Sequence, residues 1–303
     1  INLTSIDLSP LSNVTKISSC FLSGTSGYEH FIMKLQSIDL SPLNKVTTIG
    51  THFLGECGSL TKIEIPSTWQ ITSIGRGFLY GCSSITSLDL SPLRNITDTD
   101  DYFLYGCSSL TSLDLSPLSN ITCIRETFLA NCYELKSIDF SPLKNINAIG
   151  NNFLCYCYSL KTVELPSFWE IKTIGRNFIY RCNSLTNITL PSEWKIEAIG
   201  DAFLSSCSSL ENITLPETWS VTSIGGNFLY NCTSLKNIEL PSTWPVTKIG
   251  CSFLYCCINL TNITLPTTWI ITSLDNSFLY GCTGLTSIKL PETWQITTIE
   301  RSF

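Results

Sequence analysis

Charge is scarce in this chain, and basic charge most of all. Asp, Glu, Lys and Arg make up 14 % of residues, and 18 Lys and Arg against 24 Asp and Glu leave a net charge of -6. That balance argues against nucleic acid and against an anionic membrane face as partners. The only histidines are His30 and His52, and no Ser or Cys triad, phosphate loop or acid–base pair accompanies them. We therefore expect no enzyme, no cofactor and no metal site. No run of 18 apolar residues occurs, so no helix spanning a bilayer and no membrane insertion are expected. No signal peptide or anchor is expected within residues 1–303. Ser, Thr and Asn fill the polar positions instead, which describes a surface that works by hydrogen bonding or carries sugar.

What the sequence has in abundance is itself. The stretch Leu185 to Cys207, LTNITLPSEWKIEAIGDAFLSSC, returns every 25 residues almost to both ends. Its opening position holds Leu3, Leu35, Leu60, Leu110, Leu135, Leu160, Leu185, Leu210, Leu235, Leu260 and Leu285, with Ile85 in the remaining slot. Twelve units follow, and residues 1–303 read as one elongated repeat domain. The first unit carries an insertion around 22–34 containing Tyr28, His30, Phe31 and Met33, expected as a loop packed on itself. Both ends fall within a repeat: Ile1-Asn2-Leu3-Thr4 matches Ile258-Asn259-Leu260-Thr261, and Arg301-Ser302-Phe303 stops partway through another copy.

Within a unit, Thr186 to Leu190 alternates outward and inward, the period of a strand, with Ile188 and Leu190 turned in. Parallel copies stacked at ~4.8 Å predict one continuous sheet. A second segment, such as Val246 to Ile249, predicts another short strand on a different side. Gly200 and its equivalents then mark a corner that needs either a positive φ or close backbone approach. Two dialects share this frame. Early units turn with Ser-Pro-Leu, as at Ser41 to Leu43, while later ones use Pro-x-x-Trp from Trp169 to Trp294, with an outlier at Trp69. The change falls near residue 165 without altering the period, so it reads as packing or surface variation.

Several residue columns follow from the stacking. Ten cysteines at Cys57, Cys82, Cys107 and onward to Cys282 recur at the repeat spacing. Metal sites cluster thiolates within a few residues, and stacked Cβ vectors run parallel instead of converging, so these read as small buried hydrophobes with weak S–H donors. Cys20, Cys123, Cys155, Cys251 and Cys256 stand outside the column as the disulfide or reactive-thiol candidates. An outward acidic column runs through Asp7, Asp39, Glu64, Asp89, Asp114, Asp139 and Glu164. Carboxylates that close repel and raise one another's pKa unless cations, solvent or a ligand offset them. In later units Asn187, Asn212, Asn237 and Asn262 occupy the neighbouring outward column, where stacked amides are able to bond to one another. The candidate ligand face is accordingly Asp39, Glu64, Asp89, Asp114, Asp139, Glu164, Asn187, Asn212, Asn237 and Asn262.

Acceptor patterns for N-glycans start at Asn2, Asn13, Asn95, Asn120, Asn187, Asn212, Asn231, Asn259 and Asn262. The candidates retained are Asn95, Asn120, Asn187, Asn212, Asn231 and Asn262, and sugar on the strand residues would cover the face. The tryptophan column is either an exposed aromatic ribbon or a filling for the wide turn. Replacement of Leu93 or Leu118 in the other dialect favours filling.

Leu-x-x-Ile-x-Leu-Pro, Ile-Thr-x-Ile-Gly and Phe-Leu-Tyr-x-Cys-x-x-Leu in succession resemble the leucine-rich repeats of BspA type, also called the Treponema pallidum type. Asn259 to Pro266 and Gly106 to Leu110 carry the signature. The unit here is slightly longer, with the surplus in the Ser-Thr-Trp or Pro-Leu-x-Asn turn. The resemblance implies a surface or secreted protein of a bacterium or parasitic protist, engaged in adhesion to matrix or to other cells, and it brings no catalytic residues. The expected architecture is a leucine-rich-repeat solenoid with a parallel β-sheet on one face and short strands and turns opposite. The expected partner is a protein or glycan on another cell or on matrix. The alternative is a structural subunit that stacks head to tail into an extracellular filament, because bare repeat ends invite non-closing contacts.

Overall fold

The computed structural model describes residues 3–26, 29–30 and 34–302. The chain winds as a solenoid whose turns contribute up to two short parallel strands each. First strands lie at Ser37–Asp39, Lys62–Glu64, Ser137–Asp139, Thr162–Glu164, Asn187–Thr189, Asn212–Thr214, Asn237–Glu239 and Asn262–Thr264. Each buries its middle residue fully or in part and exposes its neighbours, as the two-residue period requires. Repeats pair in register one unit apart, so Ile188 faces Ile213 and Asn187 faces Asn212. The second strand of a turn is shorter, as at Ala198–Ile199 and Lys248–Ile249, and also pairs with its copy one turn away.

The first-strand sheet is not continuous, contrary to the expectation from stacking. It falls into three sheets: Ser37–Asp39 with Lys62–Glu64, Ser137–Asp139 with Thr162–Glu164, and the four strands from Asn187–Thr189 to Asn262–Thr264. The units at residues 86–89 and 111–114 run through the first gap without strand pairing. Their inward residues are Leu88 and Leu113, where every paired strand carries Ile or Val. β-Branched side chains fit a pleated surface, and leucine at those two positions gives up part of that preference. The second gap, between Glu164 and Asn187, coincides with the change of dialect.

Inside, one buried cluster runs from Leu8 to Trp294. Phe21, Phe53, Phe78 and their equivalents to Phe278 form an unbroken pile of rings with centroids 5.2–6.4 Å apart. The wide turn is filled in two ways. In early units a 3-10 helix, such as Ser91–Leu93 or Ser116–Leu118, buries its leucine. In later units a tryptophan is buried, and Trp169, Trp194, Trp219 and Trp244 stack at 5.1–6.2 Å. The indole N–H groups of Trp194, Trp219, Trp244, Trp269 and Trp294 each donate to a proline carbonyl of the preceding turn. Tryptophan therefore fills the turn and does not form a ribbon on the surface.

The repeated glycine works by close approach, not by positive φ. A Cβ on Gly225 would stand 2.5 Å from the backbone N of Asp201, and one on Gly50 2.6 Å from that of Ser19. Positive φ falls in the Phe-Leu-Tyr segment that follows, on alternate residues: Asn227 (56°), Leu229 (51°) and Asn231 (54°) in one unit. The middle position is a buried leucine or isoleucine almost throughout, although a non-glycine residue pays ~1–2 kcal/mol for that conformation. In that unit the amide of each left-handed residue bonds a carbonyl of an adjacent turn, Asn227 to Cys251, Leu229 to Phe203 and Asn231 to Tyr255, which ties the coil in both directions.

Within the insertion, Thr25–Ser26 pairs antiparallel with Glu29–His30. Tyr28, Phe31, Met33 and the acceptor Asn2 lie outside the described residues.

Candidate binding surface

The sheet face is built from the outward residues of the first strands, and its two halves differ in chemistry. On the early half the acidic column does not behave as a row of mutually repelling charges. Asp39 accepts from the backbone N–H of Ser41 at 2.8 Å, and Asp89, Asp114 and Asp139 accept in the same way from Ser91, Ser116 and Ser141 at 2.7–2.8 Å. Each carboxylate caps the turn that its own Ser-Pro sequence begins. Hydrogen bonds from Ser41 hold Asp39 below the usual carboxylate range, those from Ser9 do the same for Asp7, and those from Ser116 for Asp114. For these three aspartates the expectation of a raised pKa is corrected: hydrogen bonds from the serine two residues on favour the charged form. Glu64 belongs to a turn without that Ser-Pro sequence and pairs with Lys62 at 2.5 Å. Glu164 lies on the same exposed column.

On the late half, Asn187, Asn212, Asn237 and Asn262 are exposed and in register. They form no amide-to-amide ladder. Asn262 donates to Thr261, the residue before its strand, and Thr261 donates to Asn237 at 3.5 Å. An amide pair of that kind forms elsewhere, from Asn177 to Asn152 at 2.7 Å. Lys236 and Glu211 make an ion pair of 2.8 Å across adjacent turns beside the column.

The two halves also differ in relief. Where Leu88 and Leu113 interrupt the ladder, a groove of about 420 Å³ opens along the face. Leu88, Leu113 and Ile138 give it an apolar lining, Ser87, Ser112 and Ser137 add hydroxyls, and Asp114, Asp139 and Glu164 bring carboxylates to it. A second depression of about 520 Å³ sits at the other break, between Val163 to Ser167 and Thr189 to Glu193. Sequence reasoning reached the carboxylates but missed the groove. The signal was present in Leu88 and Leu113 standing where isoleucine is the rule.

Of the glycan candidates, Asn95 and Asn120 are exposed at the turns, with side-chain amides donating to Gln70 and to the Arg94 carbonyl. Asn231 is half-buried in the left-handed segment. The columnar cysteines are buried, and their thiols donate to leucine or isoleucine carbonyls of the preceding turn, as from Cys82 to Leu54 at 3.1 Å. Burial pushes Cys107 and Cys207 up to about 12. Among the other thiols Cys20 and Cys251 are exposed, Cys123 and Cys256 half-buried, and Cys251 does not pair with Cys256. Cys155 is a correction: it is buried, and desolvation lifts it to about 12, so it is no reactive thiol. Among the described residues no three His, Cys, Asp or Glu side chains converge to hold a metal, and no helix is long and apolar enough to cross a membrane.

Sequence comparison places the BspA type leucine rich repeat region on residues 26–158, 142–227 and 197–303, nearly the whole chain. The chain belongs to the BspA-type leucine-rich-repeat family. Its fold is similar to that of a leucine-rich repeat protein from Bacteroides ovatus, at 21 % identity over 95 % of this chain and 72 % of that one, with a TM-score of 0.51. A leucine rich cell surface protein from Faecalibacterium prausnitzii aligns at 18 % identity over 96 % of this chain and 83 % of the other, TM-score 0.45. The T. pallidum leucine rich repeat protein aligns at 21 % identity over 59 % of this chain and 67 % of its own, TM-score 0.38. No curated protein matches the chain significantly. In this family the chain is a repeat scaffold.

Proposed function

We propose that the protein acts outside the cell or at its surface and binds a protein or glycan of another cell or of matrix through the early half of its sheet face. The groove over Leu88 and Leu113 carries this reading. It combines an apolar lining with convergent hydroxyls and carboxylates, the mixture that gives a site both area and orientation. The carboxylates favour a ligand that offers cationic or hydroxyl groups. No acceptor asparagine lies on this half of the face, whereas sugar on Asn187, Asn212 or Asn262 would shield the late half. Family membership supports the surface location, and binding spread over a repeat face accords with the repeat architecture. Glycosylation of Asn95 and Asn120 belongs to the same proposal, since both stand at exposed turns away from the groove.

The test is a binding screen of the chain against glycans and matrix proteins, followed by arginine placed in each half. Ser112→Arg and Ser137→Arg should weaken the ligand at least ten-fold, while Asn212→Arg leaves it unchanged. Equal losses from both halves would remove the groove from the explanation. Mass measured across a concentration series then separates recognition by discrete particles from growth into filaments.

A further inference from the structure

A second recess lies away from the sheet face, on the left-handed segment, and it comes from an interruption in a column of tyrosines. The residue after Phe-Leu is Tyr80 and Tyr105 in two successive units, stacked with centroids 4.9 Å apart. The same position stacks Tyr230 on Tyr255 at 4.7 Å and Tyr255 on Tyr280 at 5.2 Å. Between Tyr105 and Tyr180 two successive units carry Ala130 and Cys155 instead. Their missing rings leave a recess of about 240 Å³ with tyrosine walls. That is below the roughly 300–1,000 Å³ of pockets for drug-sized ligands, so it suits a single ring.

The walls are held in place before anything binds. Tyr105 accepts a hydrogen bond from the Asn131 amide at 2.7 Å and stands edge-on to Tyr102 at 5.7 Å. Tyr102 carries the Arg76 guanidinium over its ring at 4.5 Å. On the other side Tyr156 meets Tyr180 edge-on at 5.3 Å, with Arg181 5.7 Å from its centroid.

Polar groups in the recess are left over. Thr127 lines it and is only 5 % exposed, yet its hydroxyl has no hydrogen-bond partner in the protein. Among the described residues the fully buried side-chain atoms without a partner are His52 Nδ1 and Thr99 Oγ1, so the Thr127 oxygen stays open to a ligand in the recess. Asn152, also lining the recess, uses its carbonyl oxygen to accept from Asn177 at 2.7 Å, which leaves its amide hydrogens to donate. Aromatic walls with a hydroxyl and an amide directed at one ring-sized space match a ligand that is apolar on its faces and polar at its edge.

We propose that this interruption of the tyrosine column is a binding site for one pyranose ring of a carbohydrate. The sugar's C–H face lies against Tyr105 or Tyr156, and its hydroxyls meet Thr127 and Asn152. A planar aromatic side chain would fill the same space but leave both polar groups unanswered. The site is independent of the groove on the sheet face, and neither reading requires the other.

The experiment is saturation-transfer NMR on the whole chain with the methyl glycosides of glucose, galactose, mannose and N-acetylglucosamine, with N-acetyl-tyrosinamide as the aromatic probe. At least one glycoside should receive saturation and titrate. Ala130→Tyr and Cys155→Tyr restore the ring that other units carry, so both should keep the melting temperature and bind that glycoside at least ten-fold more weakly. Thr127→Val should weaken it three-fold or more, because a site that pairs a ligand hydroxyl discriminates by that bond. Thr214→Arg, on an exposed strand position outside the groove and the recess, should leave it unchanged. Absence of binding by all four glycosides, wild-type affinity in Ala130→Tyr or in Cys155→Tyr, or binding of N-acetyl-tyrosinamide alone would each overturn the proposal.

Discussion

The early turns, from Leu35 to Glu164, and the late ones, from Asn187 to Trp294, share one period and one pile of phenylalanines, yet they present different surfaces. In the early region an aspartate on the face caps a Ser-Pro-Leu turn, and the first-strand ladder is broken at Leu88 and Leu113. In the late region a stacked tryptophan fills the turn, and four first strands pair without interruption above an asparagine column. The interior is thus held constant while turn filling and sheet continuity vary. A solenoid permits this because each turn contacts only its neighbours, so a local change is answered locally.

The largest test of the contrast is to empty the turn in each region. Trp219→Ala removes a fully buried indole, its two stacking partners and its bond to Pro191, and should cost about 3–5 kcal/mol. Leu118→Ala removes a smaller group from the equivalent turn and should cost less, about 2–4 kcal/mol. Urea unfolding measures the total, and hydrogen exchange should show protection lost first around the altered turn. A larger loss from Leu118→Ala would mean that tryptophan is not the stronger filling.

The next test erases the difference in the sheet. Leu88→Ile with Leu113→Ile gives the early units the inward residue that paired strands carry, and should add up to about 1 kcal/mol. Amides of Thr111 to Asp114 should gain exchange protection, and ligand binding in the groove should fall. If those amides stay unprotected, leucine is not the cause of the break.

A smaller effect separates the capping aspartates from the threonines that replace them. Asp114→Ala should cost about 0.5–2 kcal/mol, the usual value for losing a cap, whereas Thr214→Ala, on the exposed strand face, should fall within about 0.5 kcal/mol. The native pKa of Asp114 is lowered, so its contribution is complete above the unfolded value near ~3.9 and is lost as pH falls through the native value. Acid titration of stability should therefore show a wild-type loss below about pH 4 that Asp114→Ala lacks in part.

The smallest test concerns thiols, where the two regions should agree. Cys20 and Cys251 are exposed and should label rapidly with a disulfide reagent, while the columnar cysteines wait for unfolding. Cys155 should behave like the columnar ones. Rapid labelling of Cys155 would mean that its environment opens in solution.

Much of this was legible in the residues because a dozen copies repeat the same answer. Ile188 in register with Ile213, the buried thiols and the filled turn all follow from period and side-chain size. The acidic column was located correctly and misjudged energetically. Stacking suggested repulsion, but the deciding donor lies two residues along the chain, in the Ser that follows each Asp. The asparagine column was likewise found, without the amide ladder that its spacing invites.

The sequence by itself determined the period, the inward residues and the handover from Ser-Pro-Leu to Pro-x-x-Trp, since each is set by local chain geometry and hydrophobic burial. Tertiary structure alone decided where the sheet breaks and that the loss of two tyrosines leaves an open recess beside a hydroxyl with no partner in the protein. Those outcomes depend on contacts between turns about 25 residues apart, where small differences in pairing and packing choose between arrangements that a single unit allows equally.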